Sequence, residues 1–501
     1  MKTLEIVSKV KVDSKKLLAL VYTPGVAKSS SAIYEDYDKV FDLTNRSNSV
    51  GVLSFDYFES LKRAIYLKET YGVDVYPLAI KEKELKEGEI DFVIQNIMPN
   101  FMGVDTALIE GRAYDSAFDI PKRSKGCLLS DDMKFETMEP VELRRLLGGV
   151  IETKVVEIPG MFSNSMKPVA IISDGSAVLG LGNIGAEAGL PVMEGKAVLF
   201  KDLGCVNAMP LCLKTQTASE IERIVYLLEN SFSGVNLEDI SAPRCFGIEE
   251  NLINSLNIPV FHDDQHGTAI VVLAGLLNAM KVVSKDLACV KIVFSGAGAA
   301  GQAICKLLIK MREFINPEKK GGNGILMFDK FGVVYRGRKE NDPSLEKMAE
   351  ITNFEDFKGS LKDGIKGADI FIGVSAKGVL SPEMVSSMAK DAVVFAIANP
   401  EPEILPDEAL KAGAKIAASG RSDFNNQINN SLVFPGLFSG VLESGMKKID
   451  GRVKIEAALA LAEIVNEEEL SENYIIPDAL DARVAKNISA CIMKMSEKTS
   501  Q

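Results

Sequence analysis

A chain of 501 residues is too long for one ordinary hydrophobic core, so two or three domains are expected. Its composition, 47% apolar and 25% charged without a disordered tract, is that of a soluble globular protein. The net charge of -12 argues against nucleic acid as a partner, since phosphates would be repelled, although a metal or local cations can reverse the field inside a cleft.

The N-terminus, MKTLEIVSKVKVDSKK, has no signal-peptide core, and the longest apolar runs, such as Ala269 to Met280, fall short of the ~20 residues that span a bilayer. A cytoplasmic protein without a membrane segment is therefore expected. Cys127, Cys205, Cys212, Cys245, Cys289, Cys305 and Cys491 are scattered without a C-x-x-C pair, which points to reduced thiols. His262 and His266 are the only histidines and tryptophan is absent. Unless one of those two serves, acid–base chemistry must come from Lys, Tyr, Asp or Glu.

In chain order, Tyr22 opens a Pro–Gly turn in VYTPGVA. From about Lys167 onward, short β-rich apolar runs alternate with helical stretches, the pattern of an α/β protein with mainly parallel sheets. Gly180, Gly182 and Gly185 form a first G-x-G-x-x-G match. It runs into glycines and Pro191, which suggests a broken turn and a tight backbone crossing near a site. Lys196, in MEGKAVLFK, reads as lying between a glycine and an apolar strand. Partial desolvation there would lower its pKa and expose a neutral amine; the plain alternative is a lysine snorkelling at a strand edge.

Glu238–Asp239 and Asp263–Asp264 each follow an apolar strand-like run. Carboxylates converging at strand ends would suit a hard cation, Mg²⁺ or Mn²⁺; singly, such pairs are solvated turns. Zinc at HDDQH is discounted, because the expected Glu is missing and a strand–turn context spoils helical facing. The clearest unit is the strand Val290 to Ser295, then Gly296, Gly298, Ala299, Ala300 and Gly301, then a helix and the strand Gly324 to Asp329. Its backbone N–H groups and helix dipole can face a pyrophosphate, while Asp329 can accept from the adenosine ribose. Further strands are expected at Ala368 to Ser375 and Ala392 to Pro400. Asn399, Asn429 and Asn430 offer neutral amides to a substrate, or simply form turns. From Asn429 onward the chain reads as mostly helical.

Taken together, YTPGVA, SDGSAVLGLGNIG, PVMEGKAVLFK, LEDISAP, FHDDQHGTA, GAGAAG, ANPEPEI and SGRSDFNNQINNSLVFPG resemble malic enzyme in its compact bacterial-type form. The resemblance covers roughly residues 15–55 and 168–490. It implies an α/β fold: a Rossmann-type dinucleotide-binding domain over residues 263–428 and an α/β substrate and dimerisation domain over 1–262, interrupted by an insertion at about 55–167. A helical segment over 429–501 would pack back on the N-terminal domain.

The resemblance also implies roles. Lys196 would be the general base, Asp263 the carboxylate that orients it, and Tyr22 the acid that protonates C3 of enolpyruvate. Glu238, Asp239 and Asp264 would hold Mg²⁺ or Mn²⁺, and Asn399, Asn429 and Asn430 would bind substrate, with Asn399 also at the NAD or NADP site formed by Gly296 to Gly301 and Asp329. The implied reaction is oxidative decarboxylation of L-malate by a homodimer or homotetramer. One departure is Ala177–Val178, where arginine-bearing relatives carry E-R.

Two rivals remain at this stage: a malolactic enzyme, which releases lactate, and a non-catalytic nucleotide-binding sensor. Asp329 favours NAD, but Lys330, Arg336 and Arg338 follow closely enough to reach the 2′-phosphate of NADP. Within the insertion, Asn48 to Ile80 reads as strand, helix, strand, as does Lys167 to Phe200. Residues 48–125 could thus be a degenerate copy of the substrate-domain unit, with Gln95 and Asn96 standing where Glu238 and Asp239 stand.

Overall fold

A computed structural model describes residues 167–318 and 321–499, together with the backbone of four strands further upstream. Those strands are β1 (Lys16–Val21), β2 (Ser49–Ser54), β3 (Asp74–Ala79) and β4 (Ala107–Glu110). They form one sheet in the order β3-β2-β1-β4, with every pair parallel. The chain divides into two compact units: residues 1–170, 185–190 and 210–233, and residues 171–184, 191–209 and 234–501.

A second sheet, ordered β6-β5-β7-β8, comprises β5 (Val169–Ser173), β6 (Ala208–Cys212), β7 (Gly234–Leu237) and β8 (Val260–His262). β5, β7 and β8 are buried throughout. Unbroken burial of this kind belongs to strands covered on both faces. The accompanying helices are α1 (Gly185–Gly204), α2 (Ala218–Leu228), α3 (Arg244–Ser255) and α4 (Asp263–Val282).

The third sheet follows α4. Its parallel strands are β9 (Ile292–Ser295), β10 (Ile325–Asp329), β12 (Ile370–Gly373), β13 (Val393–Ala396) and β14 (Ile416–Ser419). A two-residue strand, β11 (Gly332–Val333), pairs antiparallel with β10 at one edge. The order β11-β10-β9-β12-β13-β14 reverses between β9 and β12, which opens the ligand crevice of a doubly wound fold beyond their carboxyl ends. Its helices are α5 (Ala299–Ile315), α6 (Pro343–Ile351), α7 (Leu361–Gly364), α8 (Pro382–Ser386) and α9 (Pro406–Lys411). One face of this sheet is filled by Val293, Phe371 and Val394 packed against Phe328, Ile365, Leu380 and Ile404.

Three helices close the chain: α10 (Phe434–Glu443), α11 (Gly451–Ala462) and α12 (Ala482–Thr499). Phe434 and Phe438 of α10 lie with ring centroids 4.6 and 5.3 Å from Phe200 of α1. Helix α4 is apolar nearly all round because it is enclosed; its buried Asn278 donates to Ala462 O and Ile475 O at 2.9 and 3.0 Å.

Three sequence readings are corrected here. MEGKAVLFK is not a turn followed by a strand: α1 runs unbroken from Gly185 to Gly204, with Pro191 inside it. Ala186, Leu190, Met193, Lys196 and Phe200 are its buried side chains beyond glycine, and this helical spacing outweighs the weak propensities of Gly and Pro. Asp263 and Asp264 are not a strand end but the first turn of α4, since β8 stops at His262. The copy hypothesis fails at one point, because the strand β3 would correspond to AVLF, which is helical. The parallel pairing of β2 with β3 is present, whereas Gln95 and Asn96 lie outside the described residues.

Candidate active site

The chain reverses at the end of β7 and again at the end of β8, and a carboxylate pair stands at each place. Glu238 follows β7 directly; Asp239 then adopts φ +54°, a left-handed backbone that Asp tolerates better than most residues. Its N–H donates to Asp264 Oδ2 at 2.7 Å, which ties the two pairs together. Glu238, Asp239 and Asp264 each offer an oxygen within 4.8 Å of the others. Three carboxylates gathered this closely form a donor set suited to a hard divalent cation.

Lys196 completes the group. Placed on the buried stripe of α1, its Nζ donates to Glu238 Oε1 and to Asp263 Oδ2, both at 2.5 Å, and stands 4.5 Å from the centroid of the Phe434 ring. Glu238 accepts a further hydrogen bond from Asn236 Nδ2 at 2.9 Å. Asp263 is wholly buried, and its Oδ1 has no hydrogen-bond partner among the described residues. That oxygen points at Gly267, where a Cβ would lie 1.9 Å away, so the turn needs glycine four residues on.

The electrostatics reverse one expectation. Burial alone would lower the lysine pKa, but Asp263, Glu238 and Asp264 outweigh it and hold the ammonium well above its usual value. The carboxylates in turn are displaced upward. Burial pushes Asp263 up to about 7 against the pull of Lys196. Burial and mutual repulsion raise Glu238, Asp239 and Asp264.

Two supporting groups carried no signal in a reading of motifs. Arg244 Nη2 donates to Asp174 Oδ2 and Ser176 Oγ, both at 2.5 Å, and the Ser176 hydroxyl accepts from Ser241 N at 2.9 Å. This fixes the loop after β5 beside Asp239. Glu249 of α3 accepts from His262 N at 3.2 Å, Gln265 Nε2 at 3.3 Å and His266 Nε2 at 2.9 Å. Burial keeps His262 and His266 neutral, with pKa values lowered to about 4, and His266 serves as a donor to Glu249. Glu249→Ala removes the acceptor for three donors at the turn bearing Asp263 and Asp264. It is expected to cost about 2–4 kcal/mol and to weaken Mn²⁺ binding; unchanged melting and unchanged Mn²⁺ affinity would argue against this role.

The dinucleotide fingerprint lies on β9 and α5. Gly296 has φ +112°, and a Cβ there would meet Val374 O at 2.6 Å. A Cβ on Gly301 would meet Gly296 O at 2.1 Å, whereas one on Gly298 would meet nothing within 4 Å among the described residues. These are a tight turn, a close strand–helix packing and an open approach to the backbone, the three demands of a pyrophosphate cradle, with Ala299 and Ala300 opening α5. The earlier match is a tight turn instead: Val178 and Gly182 exchange backbone hydrogen bonds of 2.9 and 2.8 Å.

Of the amides, Asn430 sits against the first turn of α4, its Cβ 3.2 Å from where a Gly267 Cβ would be. Asn429 caps the short helix Asn430–Leu432 by accepting from Ser431 N at 3.0 Å. Asn399 follows β13 with its Nδ2 turned to Ile397 O at 3.3 Å. Tyr22 lies outside the described residues.

A doubly wound sheet with a glycine cradle, beside a buried lysine and a triad of carboxylates, defines the class: a dinucleotide-linked α/β oxidoreductase with a candidate cation site. Family models for the N-terminal domain and the NAD-binding domain of malic enzyme match residues 148–227 and 265–497. A bifunctional malic/malolactic enzyme of Bacillus subtilis is 52% identical over 333 residues, 66% of this chain and 79% of the relative. An NAD-dependent malic enzyme of Geobacillus stearothermophilus is 49% identical, over 66% of this chain and 67% of the relative. Among solved structures, an NAD-dependent malic enzyme of Thermotoga maritima matches with a TM-score of 0.62 at 39% identity, covering 71% of this chain and 99% of that one. A malic enzyme of Pyrococcus horikoshii matches with a TM-score of 0.63 at 41% identity, covering 72% and 81%. The chain belongs to the malic enzyme family, a family of NAD- or NADP-dependent oxidoreductases. Among the described residues no helix is long and apolar enough to cross a membrane.

Proposed function

We propose that this protein converts L-malate to pyruvate and carbon dioxide with reduction of NAD⁺ or NADP⁺, using Mg²⁺ or Mn²⁺. The observation that carries the proposal is Lys196 Nζ held 2.5 Å from Asp263 and Glu238, on the edge of the carboxylate triad. When bound, the dinucleotide supplies a hydride acceptor and the cation an electron sink for loss of carbon dioxide. The remaining work falls to the chain. Lys196 takes the proton of the C2 hydroxyl, and Asp263 orients its amine. Glu238, Asp239 and Asp264 hold the cation. Two of the three carboxylates that keep Lys196 charged, Glu238 and Asp264, are thus also offered to a cation, whose charge would offset theirs and ease the loss of the lysine proton.

Tyr22 protonates C3 of the enol, and Asn399, Asn429 and Asn430 bind the substrate. Gly296, Gly298, Ala299, Ala300, Gly301 and Asp329, with Asn399, bind the dinucleotide. Residues 1–262 make the malic enzyme N-terminal domain with its insertion at about 55–167. Residues 263–428 make the dinucleotide domain and 429–501 a helical segment that packs back on the first. The protein works in the cytoplasm as a homodimer or homotetramer.

The bifunctional relative keeps a second product in view. The test is one assay of L-malate with NAD⁺ and with NADP⁺, each in Mn²⁺ and in EDTA. Stoichiometric NAD(P)H and pyruvate, lost in EDTA, is the expected result. Lactate without net NAD(P)H would establish the malolactic reading, and no turnover at all would favour a sensor.

A further inference from the structure

One wholly buried carboxylate, Glu403, has no part in the chemistry above. It follows β13 and turns back among the carboxyl ends of β12 and β13, beside the point where the strand order reverses. Oε1 accepts from Ser375 N at 2.7 Å and from Ser375 Oγ at 3.2 Å, and Oε2 accepts from Ala398 N at 3.1 Å. The Ser375 hydroxyl in turn lies 2.8 Å from Oγ of Ser295, the last residue of β9 before the cradle. A Cβ on Gly373 would fall 2.4 Å from Glu403 Cδ, so β12 ends on a glycine that admits the carboxylate. Burial raises the pKa of Glu403, and its backbone donors oppose that rise. Gly378 N to Pro402 O and Leu380 N to Glu403 O, both 3.2 Å, stitch the same two stretches together.

The bond to Ala398 closes a short turn on itself, and that turn carries Asn399 and Pro400. Asn399 is packed against the end of β14, where a Cβ on Gly420 would lie 2.5 Å from its Nδ2. Among the described residues its amide makes one weak bond, to Ile397 O at 3.3 Å, so the turn and not the amide's own partners sets where it stands. On the other side a Cβ on Gly180 would lie 3.6 Å from Pro400 Cδ. The loop bearing Gly180 donates from Ala177 N to Asp239 O at 2.9 Å. The turn thus stands between the dinucleotide crevice and the carboxylate triad. In a doubly wound sheet the ADP half lies over β9 and β10, and the half beyond the reversal, here β12 to β14, receives the nicotinamide end.

We propose that Glu403 is a positioning residue for the nicotinamide end of the cofactor, fixing through Ser375 and Ala398 the turn that presents Asn399. This assignment rests on the dinucleotide reading of the Gly296–Gly301 cradle. Gln at this position keeps the shape but replaces one acceptor oxygen by an N–H donor, which faces either Ser375 N or Ala398 N and leaves that buried donor unmet. The cradle is spared, because Gly296 N is held by Phe328 O and Val374 N by Ser295 O, both at 2.8 Å, bonds of the sheet itself.

Calorimetric titration tests this without turnover, with ADP, which stops at the pyrophosphate, and with NADH or NADPH, whichever the wild type binds more tightly. In Glu403→Gln the reduced dinucleotide should bind about tenfold more weakly while ADP affinity is unchanged. Ser375→Ala, which removes only the hydroxyl link, should show the same pattern at about threefold. Wild-type dinucleotide affinity in Glu403→Gln, or in Ser375→Ala should the first variant not fold, would overturn the assignment. An equal loss of ADP and dinucleotide would overturn it too, since that is the mark of a merely structural role. If the wild type binds neither ligand, the dinucleotide reading itself fails and the assignment with it.

Discussion

Lys196→Ala is expected to lower malate oxidation by ~10²–10⁴ while NAD(P)H affinity stays nearly unchanged. The reason is positional: the amine stands on α1 among the carboxylates, whereas the phosphate cradle is built from Gly296, Gly298 and Gly301 on β9 and α5. The structure adds a second effect. Without the ammonium, Asp263 and Glu238 stay buried without a cation, at a cost of about 3 kcal/mol. Burial already raises the pKa of Asp263, and Lys196 is the main influence opposing that rise. In the variant its folded-state pKa climbs further above the unfolded value, so the folded state binds the extra proton and stability falls as pH rises. The melting gap between variant and wild type should accordingly widen from pH 6 to pH 8. Turnover within a few-fold of wild type would remove Lys196 from the mechanism.

Adding Mn²⁺ to metal-free protein is expected to raise its melting temperature, and more at pH 8 than at pH 6. Asp263, with its pKa pushed up to about 7, and the raised Glu238, Asp239 and Asp264 all hold protons in the folded state that the unfolded chain releases near pH 4. Their cost to stability therefore grows as pH rises through that window and is complete for Asp263 above about 7. His262 and His266 act oppositely. Lowered to about 4, they take stability away as pH falls below 6.5. A cation on the carboxylates offsets their repulsion, and mass action at a hundredfold excess over Kd supplies ~2.7 kcal/mol. Asp239→Asn should be more stable than wild type without metal and respond less to Mn²⁺. Differential scanning fluorimetry at both pH values reads all of this. An Mn²⁺ shift of zero at both, or a full shift in Asp239→Asn, would remove the cation site.

Residues whose meaning is local were legible in the sequence. The cradle could be read because Gly296, Gly298 and Gly301 answer a backbone requirement that no side chain meets, directly after a buried strand. The carboxylate pairs could be read because each follows a short apolar run of strand type, although Asp263 and Asp264 open a helix rather than end the strand. Lys196 could be singled out but not placed. Gly189, Pro191 and Gly195 look like breakers, and the packing of Lys196 and Phe200 against Phe434 is what the sequence could not show. The spacing of Ala186, Leu190, Met193 and Phe200 was the available sign, with Lys196 standing where an apolar residue belongs. Partnership lay wholly beyond the sequence. Asp329 and Arg338 are nine positions apart, as are many unpaired charges, and Glu249 meets His266 across a helix and a strand. Composition and period state which groups a chain owns and which way each faces along its own element. Which charge neutralises which depends on how elements dock, because ion pairs and pKa values are set by distances of a few ångströms and by burial, which arise only when the whole core has closed.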